Sequence, residues 1–91
     1  MTSAITHDMV RHKFTTTFDG HEGYVDYESG DGYIVITHTV VPSEIGGRGI
    51  AGELVKAAFD FARSEGLKVV PDCSYAAGYL QKHPEYASLI A

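Results

Sequence analysis

The chain has 91 residues, 44% of them hydrophobic, and a formal net charge of -5. That length fits one domain over residues 1–91 and is too short for two. The acidic balance argues against a partner that is nucleic acid or an anionic membrane, both of which call for a basic footprint.

The segment from Met1 to Arg11 shows no firm period and reads as a loosely ordered start. It lacks the basic opening and apolar run of a signal peptide. No apolar stretch is long enough to span a bilayer. The single cysteine, Cys73, excludes an intramolecular disulfide and fits a reducing compartment. A soluble, cytoplasmic protein is expected.

The stretch KFTTTF alternates, with Phe14, Thr16 and Phe18 on one face, and predicts a half-buried strand. Asp19-Gly20 signals a turn, and GYVDYES predicts a second strand. After Ser29-Gly30-Asp31-Gly32, YIVITHTVV is β-branched nearly throughout and reads as a central third strand. Short connections make these three an antiparallel meander. Pro42 ends the third strand because it cannot donate to a ladder.

From Ile50 the period changes. Ile50, Leu54, Val55, Ala57, Ala58, Phe61 and Ala62 share one helical face, with Glu53, Lys56, Asp60 and Arg63 on the other. Gly66 is the expected left-handed stop. LKVV is a short strand closed by Pro71, and the tail reads as a short helix, a break at His83-Pro84 and a last helical turn. The fold class expected is α/β (α+β): a mostly antiparallel sheet with one β-α-β crossover. Such a crossover sets both strand C-termini and the helix N-terminus on one sheet edge, where a ligand crevice belongs.

GGRGIAG, Gly46 to Gly52, lies at that edge. Gly47, Gly49 and Gly52 fit the G-x-G-x-x-G spacing of a dinucleotide turn, and Asp72 lies about 20 residues on. Two features oppose NAD. Pro42 to Gly46 separate the strand from the first glycine, and a dinucleotide needs two parallel mononucleotide-binding halves where this chain has one crossover. A nucleoside-triphosphatase loop fails because no Gly-Lys-Ser/Thr follows. The loop still suits an anion: glycines admit close backbone approach, and the helix they open points unpaired N–H groups outward. The plain alternative is a tight strand-to-helix turn that needs glycine.

The longer run VVPSEIGGRGIAGELVKAAFDFA resembles the cofactor-binding motif of the GNAT acetyltransferase superfamily: strand, short loop, Q/R-x-x-G-x-G/A, helix. ITHTVVP before it and LKVVPDCSYAAGYLQKHPEY after it resemble the minimal single-domain subgroup with a cysteine after the last strand. The similarity spans about residues 14 to 90, as one coherent order of elements. It departs at Glu44, which stands where Gln or Arg is usual.

The resemblance implies acetyl-CoA as co-substrate. Its pyrophosphate would be held by the loop around Ile45, Gly46, Gly47, Arg48, Gly49, Ile50 and Ala51, mainly through backbone N–H groups. It implies a nucleophile at Cys73, just before a short helix whose N-terminus favours a thiolate. Against this, a lone cysteine is commonly a small buried hydrophobe, and Asp72 opposes ionisation. His38, placed by alternation on one face with Ile34, Ile36 and Val40, is the candidate base or else a satisfied core histidine. Ser74 and Tyr75 are candidate donors to the leaving thiolate or carbonyl oxygen. Tyr79 packs the tail or lines the pantetheine arm. His7, His12 and His21 show no ligand spacing, so no metal is expected.

The implied activity is acetyl transfer to an unassigned amine, by a monomer or weak homodimer. The rival is a non-catalytic module that binds coenzyme A or phosphopantetheine. A third reading keeps the fold and has no cofactor.

Overall fold

The computed structural model describes residues 4–90. Five strands form one sheet in the order β1-β2-β3-β4-β5. They are β1 (Thr6–Asp8), β2 (Lys13–Phe18), β3 (His21–Gly30), β4 (Tyr33–Val40) and β5 (Lys68–Pro71). The first four run antiparallel to their neighbours, and β5 joins β4 in parallel. Helix α1 (Ile50–Glu65) makes the crossover, helix α2 (Ser74–Lys82) follows β5, and a 3-10 turn over Pro84–Leu89 comes next. The protein is thus a mixed α+β domain with one β-α-β unit.

Strand alternation decides which sheet face α1 covers. Phe14 and Thr16, then Val25 and Tyr27, then Ile34 and Ile36, and finally Val69 all point inward and are buried. Leu54, Val55, Ala58, Phe59 and Ala62 of α1 meet them, each fully buried. Burying a side chain of the Leu, Ile or Phe class contributes about 1.5–3 kcal/mol, so this one interface dominates stability. Phe59 is absent from the helical face expected from sequence, whereas Ala57 and Phe61 are only half-buried. The reason is a second partner: Tyr79 and Tyr86 cover Phe59, with ring centroids 5.8 and 5.1 Å away.

Tyr86 fixes the final turn onto α1. Its hydroxyl donates to Asp60 at 2.7 Å. Burial, then that bond to a carboxylate, pushes its pKa up to about 12. The end of α1 follows its expected rule: Gly66 has φ 71°, and Leu67 N–H returns to Ala62 O at 2.8 Å, which caps the last turn.

The start of the chain departs from expectation. Residues 1–3 lie outside those described, but Thr6–Asp8 is an ordered edge strand on β2. Asp8 accepts from Val10 and Arg11 N–H to close the hairpin. His7 anchors the strand: its ring stacks on Phe14 at 4.0 Å and meets Phe61 edge-on at 4.5 Å. Its Nε2 lies 2.6 Å from the Tyr27 hydroxyl. Thr16 donates to Ala4 O at 2.7 Å. Three residues are too few to show a period, so packing, not pattern, makes this strand.

No helix among the described residues is long and apolar enough to cross a membrane.

The anchor gives a pH prediction. Burial holds the His7 pKa below its usual value, against the opposing pull of the Asp8 carboxylate and with a small push from His12. A lowered histidine pKa means that the unfolded chain binds its proton first as pH falls. The His7 contribution is therefore complete above about pH 6.5 and lost below it. Urea midpoints at pH 7.5 and 5.5 should drop more in the wild type than in His7→Phe, which keeps the stack without the ionisable ring. An equal drop in both proteins contradicts this.

Candidate functional site

The loop from β4 into α1 begins as a 3-10 turn over Ser43–Ile45. Ile45 is fully buried and nails the turn to the core. Its N–H donates to Pro42 O at 3.0 Å, and Gly46 N–H donates to Ser43 O at 3.1 Å. Of the loop residues expected to hold a cofactor, Ile45 and Gly46 therefore have their amides already committed. Sequence alone does not tell bonded amides from open ones.

Beyond Gly46 the situation reverses. Gly47 and Gly49 have φ of 76° and 77°, a region costly for other residues. The first intrahelical bond of α1 is Glu53 N–H to Gly49 O at 3.1 Å. Gly49 has no side chain to cap the helix. Among the described residues, no acceptor is found for any N–H from Gly47 to Gly52. A run of unbonded donors at the positive end of a helix dipole is an anion-binding arrangement. The Arg48 side chain is engaged elsewhere: its guanidinium pairs with Asp19 at 3.3 Å and lies 4.6 Å over the Phe18 ring. What Arg48 offers the loop is its backbone N–H. Glu44 is exposed in the 3-10 turn.

The second half of the site is where β4 and β5 part. Their last paired residues are Ile36 and Pro71, and both Asp72 N–H and Cys73 N–H then donate to Ile36 O at 3.1 Å. On the other side of β4 the register to β3 slips by one residue. Tyr27 faces Ile36, but Asp26 faces His38, leaving Thr37 as a bulge. A one-residue slip exchanges the faces. Thr39 now pairs with buried Val25 and points to the α1 side. His38 pairs with Asp26, is exposed, and lies on the opposite face, its Nδ1 3.2 Å from Thr37 Oγ1. This corrects the placement of His38 beside Ile34 and Ile36. Uninterrupted alternation predicted that face, and the bulge breaks the alternation.

The same slip brings in a residue that sequence reasoning missed. Thr39 Oγ1 lies 3.3 Å from Cys73 Sγ. Cys73 is the N-cap of α2, and its sulfur also accepts from Ala76 N–H at 3.3 Å. Two partners thus fix a half-buried thiol at the sheet edge where α1 begins. The only signal for Thr39 was its place in the HT pair, and simple alternation aims it the wrong way.

Ser74 and Tyr75 are exposed on the first turn of α2. A Cβ placed on Gly52 would lie 3.4 Å from the Tyr75 hydroxyl oxygen, so α2 closes against the start of α1. Tyr79 is half-buried between Phe59 and His83, whose ring stacks on it at 4.0 Å. Burial raises the Tyr79 pKa, so its phenol is neutral at physiological pH. A cleft of about 410 Å³ runs along α2 from Gly52 and Ser74 to His83. Among the described residues, no cluster of His, Cys, Asp or Glu is grouped to hold a metal ion.

Comparison with known proteins gives the family. A family model described as GCN5-related N-acetyl-transferase matches residues 13–89. Protein NATD1 of Gallus gallus is 40% identical over 83 residues, covering 88% of this chain and 76% of its own. Protein NATD1 of Homo sapiens is also 40% identical over 83 residues, covering 88% and 74%. The fold is similar to the NMR solution structure of a GCN5-like protein from Staphylococcus aureus. The TM-score is 0.74 at 30% identity, with 97% of this chain and 87% of that one covered. The chain belongs to the GCN5-related N-acetyltransferase family.

Proposed function

We propose that this protein binds acetyl-CoA and moves its acetyl group to an amine by way of Cys73. The supporting observation is the unbonded run of N–H groups from Gly47 to Gly52, at the same sheet edge at which Cys73 follows β5. Gly47, Arg48, Gly49, Ile50 and Ala51 hold the pyrophosphate through these amides, and Gly52 joins them. The pantetheine arm lies where β4 and β5 part. The coenzyme supplies a thioester, whose carbonyl carbon is open to attack.

Cys73 acts as the nucleophile. Its sulfur forms a bond to the acetyl carbon, and the bond to the coenzyme's sulfur breaks. The coenzyme leaves as a thiol with the proton that Cys73 gave up. The Thr39 hydroxyl and the Ala76 N–H orient the Cys73 sulfur. Ser74 and Tyr75 stand on the same turn as donors to the carbonyl oxygen. In the second step the amine attacks acetyl-Cys73, a C–N bond forms, and the sulfur recovers a proton from the amine. His38 lies on the other sheet face and takes no part in the first step. The protein acts in the cytoplasm as a monomer or weak homodimer.

A second reading is favoured by the role of Cys73 as the cap of Ala76. If the thiol is purely structural, the protein is a binder of coenzyme A or phosphopantetheine and transfers nothing.

Calorimetry separates the donors. Acetyl-CoA should bind in the micromolar range, about -8 kcal/mol, with NAD silent. Gly49→Ala strains a left-handed position by about 1–2 kcal/mol, so the loop relaxes away from the binding geometry and acetyl-CoA should weaken about five- to thirtyfold. Binding of NAD instead would return the loop to a dinucleotide turn.

Intact mass spectrometry after mixing with acetyl-CoA addresses the covalent step. One added acetyl group is expected on the wild type, none on Cys73→Ala, and a slower gain on Thr39→Val than on Thr39→Ser. Full transferase activity in Cys73→Ala would sink the covalent route in favour of direct attack by the amine.

A further inference from the structure

The glycine loop is strung between two buried anchors, Ile45 at the end of the 3-10 turn and Ile50 at the start of α1. Between them Gly46, Gly47, Arg48 and Gly49 are exposed. The sign of φ alternates along this bridge: it is positive at Gly47 and Gly49 and not at Arg48. Alternation of that kind makes a concave row of N–H donors. Yet nothing packs on the two left-handed glycines, because a Cβ on either would meet no heavy atom within 4 Å. Glycine also has the most backbone freedom to lose when a ligand fixes it. The shape of the bridge therefore needs a restraint from elsewhere.

Arg48 is the one residue of the bridge with a side chain. Its guanidinium lies 3.3 Å from the Asp19 carboxylate and 4.6 Å over the Phe18 ring. Both partners belong to the tip of the β2–β3 hairpin, far from the loop in sequence. That tip is rigid for local reasons. Phe18 pairs with His21, so the turn is Asp19-Gly20 alone. Their φ values of 52° and 77° are both positive, as a type I′ turn requires, and Asp-Gly readily supplies it. Phe18 in turn packs against the core. A guanidinium suits this seat because it stacks on a ring and pairs with a carboxylate at once. Each contact is weak at an exposed site, but together they hold the residue between the two left-handed glycines.

We infer that Phe18 and Asp19 are positioning residues for the donor. The hairpin tip holds Arg48, and Arg48 holds the open amides in the shape that receives the diphosphate. This rests on the donor reading given above and adds a device outside the loop on which affinity depends. A swinging Arg48 that leaves Asp19 for the diphosphate would have to give up both the ion pair and the ring. It also predicts the opposite sign, since removing the Asp19 charge would then free Arg48 and tighten binding.

Calorimetry with acetyl-CoA reads that sign in Phe18→Leu, Asp19→Asn, Arg48→Gln and the double variant Asp19→Asn/Arg48→Gln. Leucine keeps apolar bulk at the strand end, and asparagine tolerates left-handed angles, so urea midpoints should match the wild type. Acetyl-CoA should weaken about threefold in Phe18→Leu and in Asp19→Asn, and about tenfold in Arg48→Gln. The double variant should bind no more weakly than Arg48→Gln alone, because Asp19 acts through Arg48. Without ligand, amide nitrogen relaxation should show Gly47 and Gly49 more mobile on the nanosecond timescale in each variant, with α1 unchanged. A general loss of stability would not confine the change to the bridge. Tighter or unchanged binding in Asp19→Asn, or glycines as rigid as in the wild type, overturns the inference and leaves the donor reading standing. If the wild type does not bind acetyl-CoA, both fall.

Discussion

The carbonyl of Ile36 is where the parallel ladder between β4 and β5 ends, and it accepts from both Asp72 and Cys73 N–H at 3.1 Å. Past that atom the two strands separate, and the Thr37 bulge shifts the rest of β4 by one residue against β3. One slip in a hydrogen-bond ladder has two consequences. It carries Thr39 to the inner face within 3.3 Å of Cys73 Sγ, and it sends His38 to the outer face. Bulges commonly sit beside active sites because they re-aim side chains at the cost of one unpaired residue.

The glycine loop leaves β4 just beyond that point. Buried Ile45 holds the start of the loop, and two committed amides complete its 3-10 turn. Gly47 and Gly49 then take left-handed backbone angles so that the following amides reach α1 without partners. Unsatisfied donors are costly when buried. The residues from Gly46 to Gly49 are exposed, so water can serve them until an anion displaces it. The burial of α1 against the sheet supplies the rigidity that keeps this arrangement in place.

Much of the architecture was legible in the sequence. Alternation in KFTTTF, the β-branched YIVITHTV, the period change at Ile50 and the Gly66 stop all correspond to observed elements. Each is a local rule acting over at least six residues or at a single glycine. The readings that failed concern features with no local signature. Strand β1 is three residues held by the packing of His7. Phe59 is buried because two tyrosines from the tail reach it. The faces of His38 and Thr39 depend on a register slip that depends on strand pairing. The glycine loop was visible as a motif, but which of its amides are open required the hydrogen bonds themselves.

The central claim is that the open amides from Gly47 to Gly52 are the donor's phosphate site. Amide proton–nitrogen NMR of the labelled protein, titrated with acetyl-CoA, reads those groups directly. The account predicts that the largest shifts fall on Gly47 to Gly52, with smaller ones at Thr39 and Cys73. Shifts confined to the outer sheet face around His38, or an unmoved loop at saturating ligand, would contradict it.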